Sequence, residues 1–133
     1  MGLADILADH PDRTTFDLAE LNRAAQAAAA CALACSACAD SDLGRDPAGM
    51  ATCIRKCTDC ADVCAITAKM LARPAPRGDA WQKLVMACAA LCAECAEECS
   101  QHDHLCCQEC AAACRECEKA CQQLLAVSQD DAS

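Results

Sequence analysis

Residues 106–121 read CCQECAAACRECEKAC, six cysteines in sixteen residues with no glycine or proline to bend the chain into a metal knuckle or a stapled loop. From Cys107 the steps between cysteines are three, four, three and four. A helix turns about 100° per residue, so this set stays within an arc of about 100° on one helix. The same spacing recurs upstream in Cys31, Cys35, Cys38, then Cys53, Cys57, Cys60, Cys64, then Cys88, Cys92, Cys95, Cys99. Each of these sets spans an arc of about 60°. A strand would need period two, which appears nowhere over a useful length.

Boundary residues divide the chain into four helices, expected at about 15–40, 47–72, 80–101 and 104–128. Thr14 or Thr15 can cap the first; SDLGRDP (41–47) then reads as a turn in which Asp46 caps and Pro47 opens the second. RPAPRGD (73–79) ends the second helix, and Asp79 with Gln82 has the spacing of a capping box for the third. Between Cys88 and Cys121 there is no helix breaker, yet the cysteine stripe slips phase at SQHDH (100–104), where Asp103 is a candidate cap. In that register Cys106 continues the stripe of the preceding helix and Cys107 begins the new one. LADILAD (3–9), before Pro11, can form a short extra helix.

Four helices on short connections, each with one narrow apolar stripe, predict an all-α, antiparallel up-down-up-down bundle with a cysteine-lined core. Glu109 and Glu116 fall opposite the last stripe, as a solvated face requires. The 133 residues suffice for one domain over 1–133.

Cysteine at 17 of 133 residues would ordinarily suggest a secreted disulfide scaffold. The odd count leaves at least one thiol unpaired, and disulfide scaffolds are rich in loops, whereas this chain is helical. The opening MGLADILADHPD has no basic stretch followed by an apolar run and no twin arginine, so a cytoplasmic protein is expected. No apolar run approaches the roughly 18 residues of a membrane span. A net charge of −9, with the acidic residues spread along the chain, argues against nucleic acid or an anionic membrane as a partner.

Antiparallel threading makes the two ends of the bundle differ. One gathers Leu18, Leu21, Met70, Leu71, Trp81, Leu84, Val85, Leu124 and Leu125, a hydrophobic plug. The other gathers Cys38, Met50, Cys53, Cys99, His102, His104, Cys106 and Cys107, with Asp40 and Asp42 nearby. A single core cysteine is ordinarily a small hydrophobe. Seventeen in aligned stripes give up much of the burial that larger side chains would supply, which points to metal filling that space.

Thiolate is a soft ligand and favours Cu(I), zinc or iron–sulfur clusters. Zinc wants four tetrahedral ligands, which straight helical stripes must assemble from neighbouring helices, an awkward construction. CALACSAC (31–38) has the cysteine spacing of radical-enzyme [4Fe–4S] sites, but a helical chain of this size has no barrel for a substrate. Cu(I) accepts two or three thiolates, and bridging thiolates would let roughly one ion per cysteine offset the buried charge. The metal-free form should then keep its thiols mostly protonated. A thiol-rich structural or redox protein is the remaining alternative.

The repeated C-x-x-x-C stripes on all four helices, from about Thr15 to Val127, resemble the bacterial copper storage proteins. The absence of an export signal is similar to their cytosolic branch. The resemblance implies a non-catalytic homotetramer that stores or sequesters many Cu(I) ions on its core cysteines. It also implies copper entrance at one open end, where His102, His104 and Met50 are candidate ligands; any copper donor or chaperone is left open. Asp40, Asp42 and Asp103 can attract a cation there, although capping and solubility explain them equally well, and His10 reads as solvated.

Overall fold

A computed structural model describes residues 2–12, 17–75 and 78–132, with side chains followed to residue 128. Its helices are α1 (Leu3–Asp9), α2 (Leu18–Arg45), α3 (Ala51–Leu71), α4 (Ala80–Cys99) and α5 (Leu105–Ala132). Helices α2, α3, α4 and α5 pack as a ring, α2 against α3 and α5, α4 against α3 and α5, while α1 packs on α2 alone. Thiol contacts fix the directions. Cys31, Cys35 and Cys38 face Cys114, Cys110 and Cys107 in that order, so α2 and α5 run oppositely. Cys53, Cys57 and Cys64 likewise face Cys99, Cys95 and Cys88 across α3 and α4. The result is the expected antiparallel four-helix bundle, with the short N-terminal helix added.

The local signals differ in three places. Asp17 caps α2, its carboxylate accepting from the Glu20 backbone N–H at 3.1 Å; the expected caps Thr14 and Thr15 lie outside the described residues. Second, α2 does not stop near residue 40 but carries on for another turn to Arg45. Gly44 lies one residue from that end, where the helical penalty of a glycine is small, and the added turn carries Asp42 and Arg45 to Cys106 on α5. The expected turn is displaced, not lost. Asp46 and Pro47 do not start α3, which begins at Ala51 after Met50 and has no side-chain cap; Asp46 instead ends α2 and holds the turn, its carboxylate accepting from Gly49 N at 3.1 Å and its carbonyl from Met50 N at 2.9 Å. Third, Asp79 makes no side-chain cap bond. Gln82 instead reaches Ser128 on α5 at 3.4 Å, so a tertiary contact takes the group the capping box needed.

The break between α4 and α5 falls where the stripe slips phase. Ser100 Oγ donates to Glu97 O at 2.8 Å, and His102 N to Cys99 O at 3.1 Å, closing α4 with tight turns. His104, one residue later than the proposed cap Asp103, precedes α5 and its carbonyl accepts from Gln108 N at 3.1 Å. No described residue outside glycine has a positive φ, so the turn needs none.

At the plug end Leu21, Leu71, Trp81, Val85 and Leu124 are buried, with Leu18, Met70 and Leu125 packed around them. Thr67, one turn beyond Cys64, is also buried, its hydroxyl satisfied by Val63 O at 2.7 Å. Arg23 near the start of α2 donates to Gln123 near the end of α5, pinning this end from outside. Because this plug holds most of the large apolar side chains, Leu124→Ala should lower the stability of the reduced, metal-free protein by about 2–4 kcal/mol. Chemical denaturation checks this.

Candidate metal centre

Each long helix contributes one inward row. On α2 it is Cys31, Cys35, Cys38; on α3 Cys53, Cys57, Cys60, Cys64; on α4 Cys88, Cys92, Cys95, Cys99; on α5 Cys107, Cys110, Cys114, Cys117, Cys121. All of these are 0% exposed; Cys106 is half-buried. Successive sulfurs on one helix approach each other, as in Cys31–Cys35 at 3.7 Å and Cys60–Cys64 at 3.8 Å. Facing helices bring others as close, from 3.4 Å for Cys110–Cys35 to 4.0 Å for Cys88–Cys117. Cys31, Cys35, Cys60 and Cys114 lie mutually within 4.8 Å, as do Cys57, Cys95, Cys99 and Cys110 nearer the turn end. Many residues belong to more than one such quartet, so the thiols form a continuous network along the axis.

Neighbouring helices bring four sulfurs within 4.8 Å of one another. A tetrahedral thiolate site with metal–sulfur bonds of about 2.3 Å needs sulfurs about 3.8 Å apart. The quartets are indeed assembled from neighbouring helices, as expected of any zinc site here, and their looser edges would have to contract; the choice of metal has to come from elsewhere.

Burial opposes ionisation of these thiols. It is the main cause that pushes Cys53 up to about 11, with hydrogen bonding to Asp42 acting the same way. Cys107 is pushed up to about 12, again mainly by burial, and Cys38 also rises. Deeper in, hydrogen bonds between thiols dominate: Cys121 is raised mainly by its bond with Cys117, which the same bond draws down. A metal ion must displace the protons held at the raised thiols.

Residues 17–126 match the profile of the copper storage protein family, Csp. The chain belongs to the copper storage protein family. It is 41% identical to the copper storage protein Ccsp from Streptomyces lividans, in a structure loaded with 10 copper equivalents, at a TM-score of 0.90 over 94% of this chain and 98% of that one. It is 43% identical to a cytosolic copper storage protein from the same organism carrying five coppers, TM-score 0.77, over 80% and 92% of the two chains. The Cu(I)-bound copper storage protein BsCsp3 is 32% identical, TM-score 0.70, over 77% and 94%. No curated protein sequence matches.

Within this copper storage protein the residues singled out at the turn end separate into buried and peripheral groups. Met50 joins the core at 6% exposure, in phase with Cys53 and Cys57. His102 is half-buried, and its Nε2 lies 2.8 Å from Glu98 Oε2. His104 is half-buried too, while Asp40 and Asp103 are exposed. Cys106 sits in the first turn of α5, outside the stripe of α4 that it was expected to continue. Its sulfur lies 3.9 Å from Cys107 Sγ, and Arg45 Nη1 donates to it at 3.7 Å. Asp42 is the residue the sequence reading undervalued: it is fully buried, with its oxygens 3.8–3.9 Å from Cys38, Cys106 and Cys107. The signal was present, because Asp42 follows Cys38 by four and so continues the inward row of α2.

The raised thiols predict a pH dependence for the metal-free protein. Their folded pKa values lie above the ordinary thiol value of 9.0, so the folded state retains protons that the unfolded chain loses first. The stability they contribute should be complete below about pH 9 and should fall as the pH rises through about 11 to 12. Anaerobic denaturation curves between about pH 9 and 12 should show midpoints that decline as the pH rises.

Proposed function

We propose that this chain is a cytosolic Cu(I) store whose 17 cysteines are the ligands, that it acts as a homotetramer, and that it performs no catalysis. The observation that carries this reading is the unbroken sulfur network, in which the thiols lie in overlapping quartets and not in one isolated site. Bridging by shared thiolates would let each added ion neutralise charge that burial otherwise forbids. Copper would enter past His102, His104 and Met50 and move inward by exchange between adjacent sulfurs. Cytosolic placement is supported by the cytosolic Streptomyces relative; among the described residues no helix is long and apolar enough to cross a membrane. Exposed apolar side chains on the outer faces, including Leu33 and Met86, are compatible with contact between copies.

Native mass spectrometry after anaerobic Cu(I) loading reads both parts of the proposal. Four chains carrying roughly one copper per cysteine are expected; saturation at one or two coppers per chain would exclude storage, and a monomeric mass would exclude the tetramer. The entrance is tested separately by replacing His102 and His104 together. Stopped-flow uptake from a Cu(I) chelate should slow severalfold, and an unchanged rate removes both histidines from the route.

A further inference from the structure

Apart from Thr67, whose hydroxyl is satisfied, Asp42 is the one polar or charged residue buried among the described core residues. It makes no ion pair among the described residues. The near cation, Arg45, is turned to Cys106 instead. A buried carboxylate whose partners are thiols, weak donors, is costly to hold unless a cation joins it.

The surroundings of Asp42 have the shape of a cation site. Its Oδ1 lies 3.9 Å from Cys106 Sγ and 3.8 Å from Cys107 Sγ, and its Oδ2 lies 3.9 Å from Cys38 Sγ. Cys107 Sγ is 3.8 Å from Cys38 Sγ and 3.9 Å from Cys106 Sγ. Two of the thiols thus face one carboxylate oxygen and the third faces the other, so the Asp42 carboxylate closes a cluster of three sulfurs linked through Cys107. Metal–sulfur bonds of about 2.3 Å and a metal–oxygen bond of about 2.0 Å require edges of about 3.5–3.8 Å, a small contraction. The donor set also differs in kind from the core. Cu(I) is satisfied by two or three thiolates and gains little from a carboxylate, whereas a borderline divalent ion accepts both.

We propose that Cys38, Cys106, Cys107 and Asp42 form a mixed thiolate–carboxylate site at the mouth for one divalent cation of the zinc type. Binding exchanges the thiol protons for the ion, which the carboxylate joins as fourth ligand. Because the same three thiols belong to the copper-binding set, a divalent ion here and Cu(I) on these sulfurs exclude each other. The site thus adds to the storage reading a step at which a second metal competes for the entrance.

The probe is Co2+, whose visible spectrum reports both tetrahedral geometry and the number of thiolates. Titrated anaerobically into the reduced, metal-free full chain, its first equivalent should occupy this site, with tetrahedral ligand-field bands and the charge transfer of three thiolates, not the four of a core quartet. Asp42→Asn should weaken that binding by at least about tenfold, since a ligand is lost. Cys106→Ser, a change at a half-buried position, should cut the charge-transfer intensity by about a third, one thiolate in three. Loss in both variants supports the site. A wild-type spectrum kept by either variant, or no tight Co2+ binding at all, overturns it. Failure here alongside abundant Cu(I) uptake would remove the mouth site and leave storage intact.

Discussion

Sulfur takes the place of branched carbon along most of this bundle's axis, and the rest of the structure follows from that substitution. A thiol is a small hydrophobe when protonated and an anion when not. With 16 thiols at 0% exposure, the metal-free protein can remain folded only while they are predominantly protonated. Cysteine also buries less apolar area than leucine, so the middle of the bundle contributes less to stability than an ordinary core of equal length. The large side chains are accordingly gathered at one end, around Leu21, Leu71, Trp81, Val85 and Leu124. That plug anchors the helices while the remainder of the core stays open to a change of charge.

Much of this was legible in the spacing alone. Steps of three and four leave a helix no freedom about which face its cysteines occupy, and four such faces can be buried together only by surrounding one axis. The direction of each helix followed from the short connections. What escaped were contacts between elements distant in sequence. Gln82 has capping-box spacing, yet Ser128 takes its side chain, a competition visible only after folding. SDLGRDP has the composition of a turn, and its first five residues are nevertheless helix, with Asp42 and Arg45 reaching Cys106 and Cys107 on α5.

Asp42 was misjudged for a different reason. It was grouped with Asp40 and Asp103, for which capping and solubility are sufficient, and its spacing of four from Cys38 was not used, although carboxylates are almost never fully buried unless paired. Position prevailed. The preference for copper over zinc was likewise not a matter of spacing. The sulfur separations do not choose between the metals, and it is kinship with the copper storage proteins that decides between them.

The plug has a consequence for traffic through the protein. On the proposed entrance, a tube sealed at one end by tryptophan and aliphatic side chains would admit and release ions through the same opening, and its contents would be ordered by depth. An ion among Cys88, Cys117 and Cys121, beside the plug, would leave only by way of sulfurs that shallower ions share. Stored copper would then be withdrawn in the reverse of the order in which it settled, the ions near Cys53 and Cys99 first and the deepest last.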